Sequence, residues 1–229
     1  MRRIALTLAL SQALAACASR PVTPVVTIAE QPPEPTGWRA IASAADKQRL
    51  ELLPMTWTRA RAAVPRRLAA KMRAEGELVD PAAALELPAP PPGPYHCRLV
   101  RFGGRIAFQT FAPDFCYVDG GTQGLSFTKQ TGENLPGGWI HADTDKRQVF
   151  LGAMRGRGQK AAPGYGDDPV RDMAGVVERV SPFRWRLVLA RAGRGAVLDL
   201  YELVPVTPEV PGAVDRPLAI AVRWVRKLL

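Results

Sequence analysis

Residues 171–189 read R-D-M-A-G-V-V-E-R-V-S-P-F-R-W-R-L-V-L. In the second half, Trp185, Leu187 and Leu189 alternate with Arg184 and Arg186, the period of two that marks a strand with one buried face. The first half is ambiguous, because Val170, Met173, Ala174 and Val177 also fit a helical spacing. Ser181-Pro182 is a turn signal directly before the clear strand, so residues 174–190 are read as β.

The same texture extends outward from this stretch. Leu125 and Phe127 alternate with Ser126 and Thr128, and Asp143-Thr144-Asp145 forms a turn between two strand-like runs. Strands are expected near 95–102, 106–111, 114–118, 124–128, 137–142, 147–154, 174–180, 184–190 and 197–204. Turn signals at such short intervals belong to sandwiches and barrels. Upstream the period changes. Ser43 can cap a helix, with Asp46 three residues on in a near capping box, and Leu50, Leu53 and Trp57 share one face. Pro54 marks a kink or break. A second helix is expected to begin with Pro65 in its first turn, to bury Leu68 and Met72 and to stop at Gly76. Asp80 to Leu85 reads as one further helical turn. Arg59, Arg61, Arg66, Arg67, Lys71 and Arg73 form a basic run that reads as a solvated helix face. The fold class is therefore mainly β with an N-terminal helical segment (α+β). Its core is a small antiparallel β-barrel of eight or nine strands, preceded by two or three short helices.

The chain has 229 residues, 47% of them hydrophobic and 23% charged, with 22 Pro, 20 Gly and 3 Cys. That apolar fraction excludes a wholly disordered chain, and no apolar run is long enough for a membrane-spanning helix. Arg2 and Arg3 precede a short apolar segment, Ile4 to Ala16, which has the length of a secretory signal. Leu14-Ala15-Ala16-Cys17 closes it. This resembles the lipobox of bacterial lipoproteins, and the resemblance implies that Cys17 is acylated with a diacylglycerol and becomes the first residue of the mature chain. The alternative is an ordinary signal peptide with a chance Cys. Ala18, where an Asp would retain the protein, implies by resemblance an outer-membrane lipoprotein facing the periplasm.

Loss of Arg2 and Arg3 with the signal lowers the net charge from +10 to +8. Exported polycations meet phospholipid headgroups and other acidic envelope components, so nucleic acid is not an expected partner. Residues 17–38 carry five prolines and form a tether, 39–88 the helical segment, 89–206 the barrel, and 207–229 a linker with a C-terminal helix. Leu87 to Pro94 (L-P-A-P-P-P-G-P) is the connector that separates helices from barrel.

P-P-P-G-P-Y-H-C (90–97), L-S-F-T-K-Q-T-G (125–132), V-F-L-G (149–152), the 171–189 run and Y-E-L-V-P (201–205) resemble domain of unknown function 4893. It is a family of alphaproteobacterial envelope proteins, and the resemblance covers roughly residues 38–205. It brings no catalytic residue and no ligand, and this chain extends beyond it past Pro205. A weaker likeness, of topology alone, links the chain to small lipocalin-like barrels, including periplasmic protease inhibitors with one disulfide near the barrel start.

Cys97 and Cys116 lie 19 residues apart, and in an oxidising compartment two remaining cysteines most simply pair. Catalytic motifs are missing: there is no H-E-x-x-H, G-x-S-x-G, Walker loop or C-x-x-C. His96 and His141 are the only histidines, so neither metal nor cofactor is expected. Gly164, Gly166, Asp167, Asp168 and Asp172 form an acidic loop that reads as a turn with Pro169, although paired carboxylates could do acid–base work. In the tail, Arg216, Arg223, Arg226 and Lys227 fall in one sector of a helix and Leu218, Val222, Trp224, Val225 and Leu229 in the opposite one. This pattern suits a membrane-surface helix, with Arg216, Arg223, Trp224, Arg226 and Lys227 in contact, or a helix packed on the barrel. The expected function is a lipid-anchored, non-enzymatic envelope module that binds a partner protein or a small apolar ligand. The alternatives are a protease-inhibitor-like barrel and a hydrolase using the acidic loop 165–172.

Overall fold

A computed structural model describes residues 36–122, 124–190 and 196–207. Four short α-helices come first: α1 (Trp38–Ile41), α2 (Ala44–Glu51), α3 (Leu53–Ala62) and α4 (Arg66–Arg73), followed by a 3-10 turn, Gly76–Val79. The expected break near Pro54 falls at Leu52, and Pro54 occupies the first turn of α3, where its missing N–H is not needed. Pro65 is the N-cap of α4, one residue outside the position expected, and α4 ends before Gly76, which opens the 3-10 turn with φ +55°. The helical turn expected over Asp80–Leu85 does not form. Asp80 Oδ1 instead accepts the Ala82 N–H (3.1 Å), and Leu85 makes a single antiparallel bridge to Arg179.

Eight antiparallel strands then wind up and down into a closed barrel: β1 (Gly93–Gly103), β2 (Phe108–Gly121), β3 (Gly124–Lys129), β4 (Pro136–Ala142), β5 (Gln148–Met154), β6 (Asp172–Ser181), β7 (Arg184–Ala190) and β8 (Ala196–Pro205). Closure pairs β1 with β8, from Tyr95 opposite Pro205 to Phe102 opposite Leu198. The strands expected at 106–111 and 114–118 are one. Arg98 pairs with Pro113 and Val100 with Thr110, so Leu99 faces two residues, Phe111 and Ala112. Pro113 thus sits beside a bulge, where a strand tolerates proline.

Two apolar layers hold the molecule together. Inward side chains of the strands, among them Tyr95, Phe127, Phe150, Trp185, Leu187 and Tyr201, fill the barrel. Outward side chains such as Val100, Phe102, Leu151, Val176, Val188 and Leu200 meet Trp38, Leu50, Leu53 and Trp57 from the helices. The helices lie on β1, β6 and β8, while no helix packs on β2, β3 or β4 among the principal contacts. That difference accounts for the sequence texture. Strands covered on both sides read as continuous apolar runs, as in Met173–Val177, and β3 alternates because only its inner face is dry.

The β4–β5 turn fastens the first helix. Asp143 accepts from Trp38 Nε1 (2.9 Å), Arg39 (3.2 Å) and Arg147 Nε (2.6 Å). Burial pushes its carboxyl up, but these donors outweigh burial and hold it below the ordinary aspartate value. A carboxyl depressed by folding stabilises above the unfolded value, near pH 4, and that contribution disappears as pH falls through the folded value. Asp143→Asn is therefore expected to lower the melting temperature at pH 7, with the gap to wild type narrowing steadily below about pH 4. A gap that is constant from pH 7 to pH 2 would show that the charge of Asp143 contributes nothing.

Candidate functional site

The barrel interior is packed rather than open. Cys97 on β1 and Cys116 on β2 form a disulfide with a Cα–Cα distance of 5.8 Å, and both face inward, fully buried. Pairing of Tyr95 with Cys116 and of Cys97 with Asp114 makes the two cysteines diagonal neighbours across the hairpin. His96, adjacent to Cys97, points outward against Phe115 (5.0 Å between ring centroids), as strand alternation requires.

Charged groups close one end of the barrel. Arg101 binds both oxygens of its cross-strand partner Asp199 (2.6 and 2.7 Å). Lys129 points inward and donates to Asp114 (2.6 Å) and to the carbonyls of Thr131 (2.7 Å) and Glu133 (2.8 Å). Tyr201 Oη donates to the carbonyl of Asn134 (3.3 Å). The loop between β3 and β4 is thereby drawn over the opening, with Asn134 in the left-handed region that asparagine tolerates. At the other end the proline connector follows the rim, from Leu85 at β6 past the Leu87 bond to Asp145 O (3.0 Å) to Tyr95 Oη, which donates to Pro91 O. Pro88 and Pro90 are buried there.

Exposed aromatic side chains stand on the outside, over the strands the helices leave bare. Phe115 (49% exposed), Tyr117 (45%) and Trp139 (42%) stand on the outer face of β2 and β4. Beside Trp139 a cleft of about 290 Å³ runs between that face and the long β5–β6 loop. Ser126 and Thr128 of β3 and Gly137 and Gly138 of β4 form its floor, and residues Lys160 to Tyr165 form a wall. Gly138 is required, and Gly137 lies close to the wall. A Cβ on Gly138 would come within 2.4 Å of the Leu151 carbonyl, and one on Gly137 would lie 3.1 Å from the Ala162 methyl in the wall.

The loop is held in place at both ends. Tyr165 Oη accepts the Ser43 N–H (3.0 Å) and donates to Asp46, completing the α2 cap in place of the reciprocal arm expected from Asp46. Arg155 donates to the carbonyls of Lys160 (3.2 Å) and Gln130 (3.1 Å). The carboxylates of the acidic loop also have structural duties: Asp168 binds Arg171 (2.6 Å), which holds its carboxyl below the usual range, and Asp172 accepts the Gly166 N–H (3.1 Å).

The remaining residues singled out in the sequence do not converge. His96 is on β1 and His141 on β4, where burial pushes the half-buried His141 imidazole down. No group of three or more His, Cys, Asp or Glu side chains able to hold a metal occurs among the described residues. Cys17, Arg216, Arg223, Trp224, Arg226 and Lys227 lie outside the described residues. Trp139, Arg155 and Lys160 were not anticipated from the sequence. One partial signal for Trp139 was available, since alternation with the inward Ile140 turns it to the outer face, although not whether another element covers it there.

No curated protein and no solved structure matches the chain. The family profile described as Domain of unknown function (DUF4893) matches residues 38–203, which are the helices and nearly the whole barrel. That span exceeds half of the chain, and the protein belongs to the DUF4893 family.

Proposed function

We propose that this protein is a lipid-anchored component of the cell envelope that binds rather than catalyses, and that it binds from the outside of its barrel. One observation carries the second half of this reading. The lumen is occupied by the protein's own aromatic and aliphatic side chains, whereas polar groups without partners among the described residues gather in the cleft over β3 and β4. A small apolar ligand would have to displace that packing, so a ligand or partner reached from solvent is favoured. The protease-inhibitor-like alternative retains its topological support in the closed up-and-down barrel. The hydrolase alternative is not supported in this way, because the carboxylates of loop 165–172 are engaged in holding the loop.

The anchor rests on Leu14-Ala15-Ala16-Cys17, and the second membrane contact on the basic residues of the tail. Each basic residue near an anionic surface contributes roughly 1 kcal/mol, screened by salt. Fractionation of cells carrying Cys17→Ala is expected to show an unacylated protein released from the membrane. An unacylated chain beginning at residue 38 should sediment with anionic vesicles at low salt, and lose this when residues 212–229 are removed. Retention of Cys17→Ala on membranes after removal of the tail would refute the anchor. Equal vesicle binding with and without the tail would refute its membrane role.

A further inference from the structure

The cleft is chemically one-sided. Its lining includes two cations, Arg155 and Lys160, and no acidic side chain. Arg155 is committed to the loop carbonyls, but the Lys160 ammonium has no hydrogen-bond or ion-pair partner among the described residues. Trp139, which lines the same cleft, is 42% exposed, and its indole N–H has no hydrogen-bond partner among the described residues. The outward hydroxyls of Ser126 and Thr128 line the same cleft, again without partners among the described residues.

Folding alone does not call for this grouping. Trp38, Trp57 and Trp185 are buried in the two apolar layers, whereas Trp139 keeps its ring in water on a strand that helices leave bare. A flat apolar ring offers a stacking surface to the C–H face of a pyranose. Two hydroxyls and an indole N–H at its edge can exchange hydrogen bonds with sugar hydroxyl or acetamido groups. A lysine that lines the same space and has no partner among the described residues selects a carboxylate over a neutral substituent. The volume, about 290 Å³, lies at the small end of ligand sites and suits one sugar unit rather than a lipid chain. Because Tyr165 and Arg155 already fix the wall, little ordering is required on binding.

We propose that this cleft is a binding site for a carboxylate-bearing saccharide, with Trp139 as the stacking platform, Ser126 and Thr128 as hydrogen-bonding partners and Lys160 as the partner of the carboxylate. The inference rests on the reading of the protein as a binding module and specifies its ligand class.

The test is a pair of titrations of the full chain followed by the indole N–H resonance of Trp139, identified by its loss in Trp139→Phe. N-acetylmuramic acid supplies the carboxylate, and N-acetylglucosamine is its uncharged counterpart. Both should shift the Trp139 signal saturably, the acid with a Kd about tenfold lower, as one charge-assisted hydrogen bond warrants. Lys160→Gln should abolish that preference and leave the N-acetylglucosamine Kd unchanged. Trp139→Ala should weaken both sugars by about tenfold or more, read from the other cleft resonances. An immobile Trp139 signal, or a preference that survives in Lys160→Gln, overturns the assignment. An equal response to sodium lactate reduces the site to a general anion site and also overturns it. Membrane release of Cys17→Ala does not involve the cleft, so failure here and failure of the anchor are separate results.

Discussion

Arg186→Ala is expected to lower the unfolding free energy by about 3–5 kcal/mol, the range for breaking a buried charge network from one side. Arg186 lies on the outward side of β7 and is entirely buried by the helical segment. Its Nε donates to Glu178 (2.7 Å), and one terminal nitrogen donates to the carbonyls of Glu77 (2.8 Å), Leu78 (3.1 Å) and Asp80 (2.6 Å). Its guanidinium carbon stands 4.5 Å from the centre of the Trp57 ring. Truncation would strand a carboxylate and three carbonyls at once, and remove the surface on which Trp57 lies. Lysine has neither the planar fork nor the stacking face, so Arg186→Lys should recover less than half of the loss. Denaturant unfolding at constant m is the measurement. A loss below 1 kcal/mol would show that the helices do not depend on this residue. Arg98 forms a second tie, with bonds to Glu75 (2.6 Å) and Glu202 (2.7 Å), and its more exposed position makes the expected effect smaller.

Removing the Cys97–Cys116 bridge is the other large perturbation. The cross-link closes a 19-residue separation, for which chain entropy predicts about 3 kcal/mol. Cys97→Ala/Cys116→Ala should lower the denaturant midpoint accordingly, and reduction should do the same to the unaltered protein. Because both sulfurs are buried in the lumen, neither should react with an alkylating agent until the bridge is reduced. Thiol labelling of the native, unreduced protein would rule the bridge out.

Much of the barrel was legible, and its errors have identifiable causes. The alternation of Leu125 and Phe127 with Ser126 and Thr128 survives because the outer face of β3 stays wet. Residues 170–177 were ambiguous because β6 is buried on both faces, which erases the period of two. Ala112-Pro113 looked like the end of a strand, and only the pairing partner reveals a bulge that accommodates the proline. Asp80-Pro81 carries helix-start chemistry, but its Asx turn and the Leu85 bridge to a strand almost a hundred residues away prevail. The disulfide was legible from the cysteine count together with the expectation of an oxidising compartment. The cleft was not. Its floor, its platform and its wall come from residues 126–130, 137–139 and 155–165, and no one of these segments carries a recognisable motif. Exposure of Trp139 and the unshared Lys160 become visible only once β3, β4 and the loop are assembled.

The seam of the barrel determines the order in which this chain can fold. Tyr95 pairs with Pro205, about 110 residues further on, and every other strand pair joins neighbours in sequence. A chain emerging from its N-terminus can therefore form the β1–β2 hairpin and its cross-link early. It has no way to complete the cylinder until Tyr201 and Leu203 arrive. Until then β1 presents an unpaired edge that includes Leu99 and Val100. The final strand acts as a latch. A chain truncated before β8 would be an open ribbon prone to pairing with its own kind, and β8 must be in place before the barrel acquires its cooperative stability.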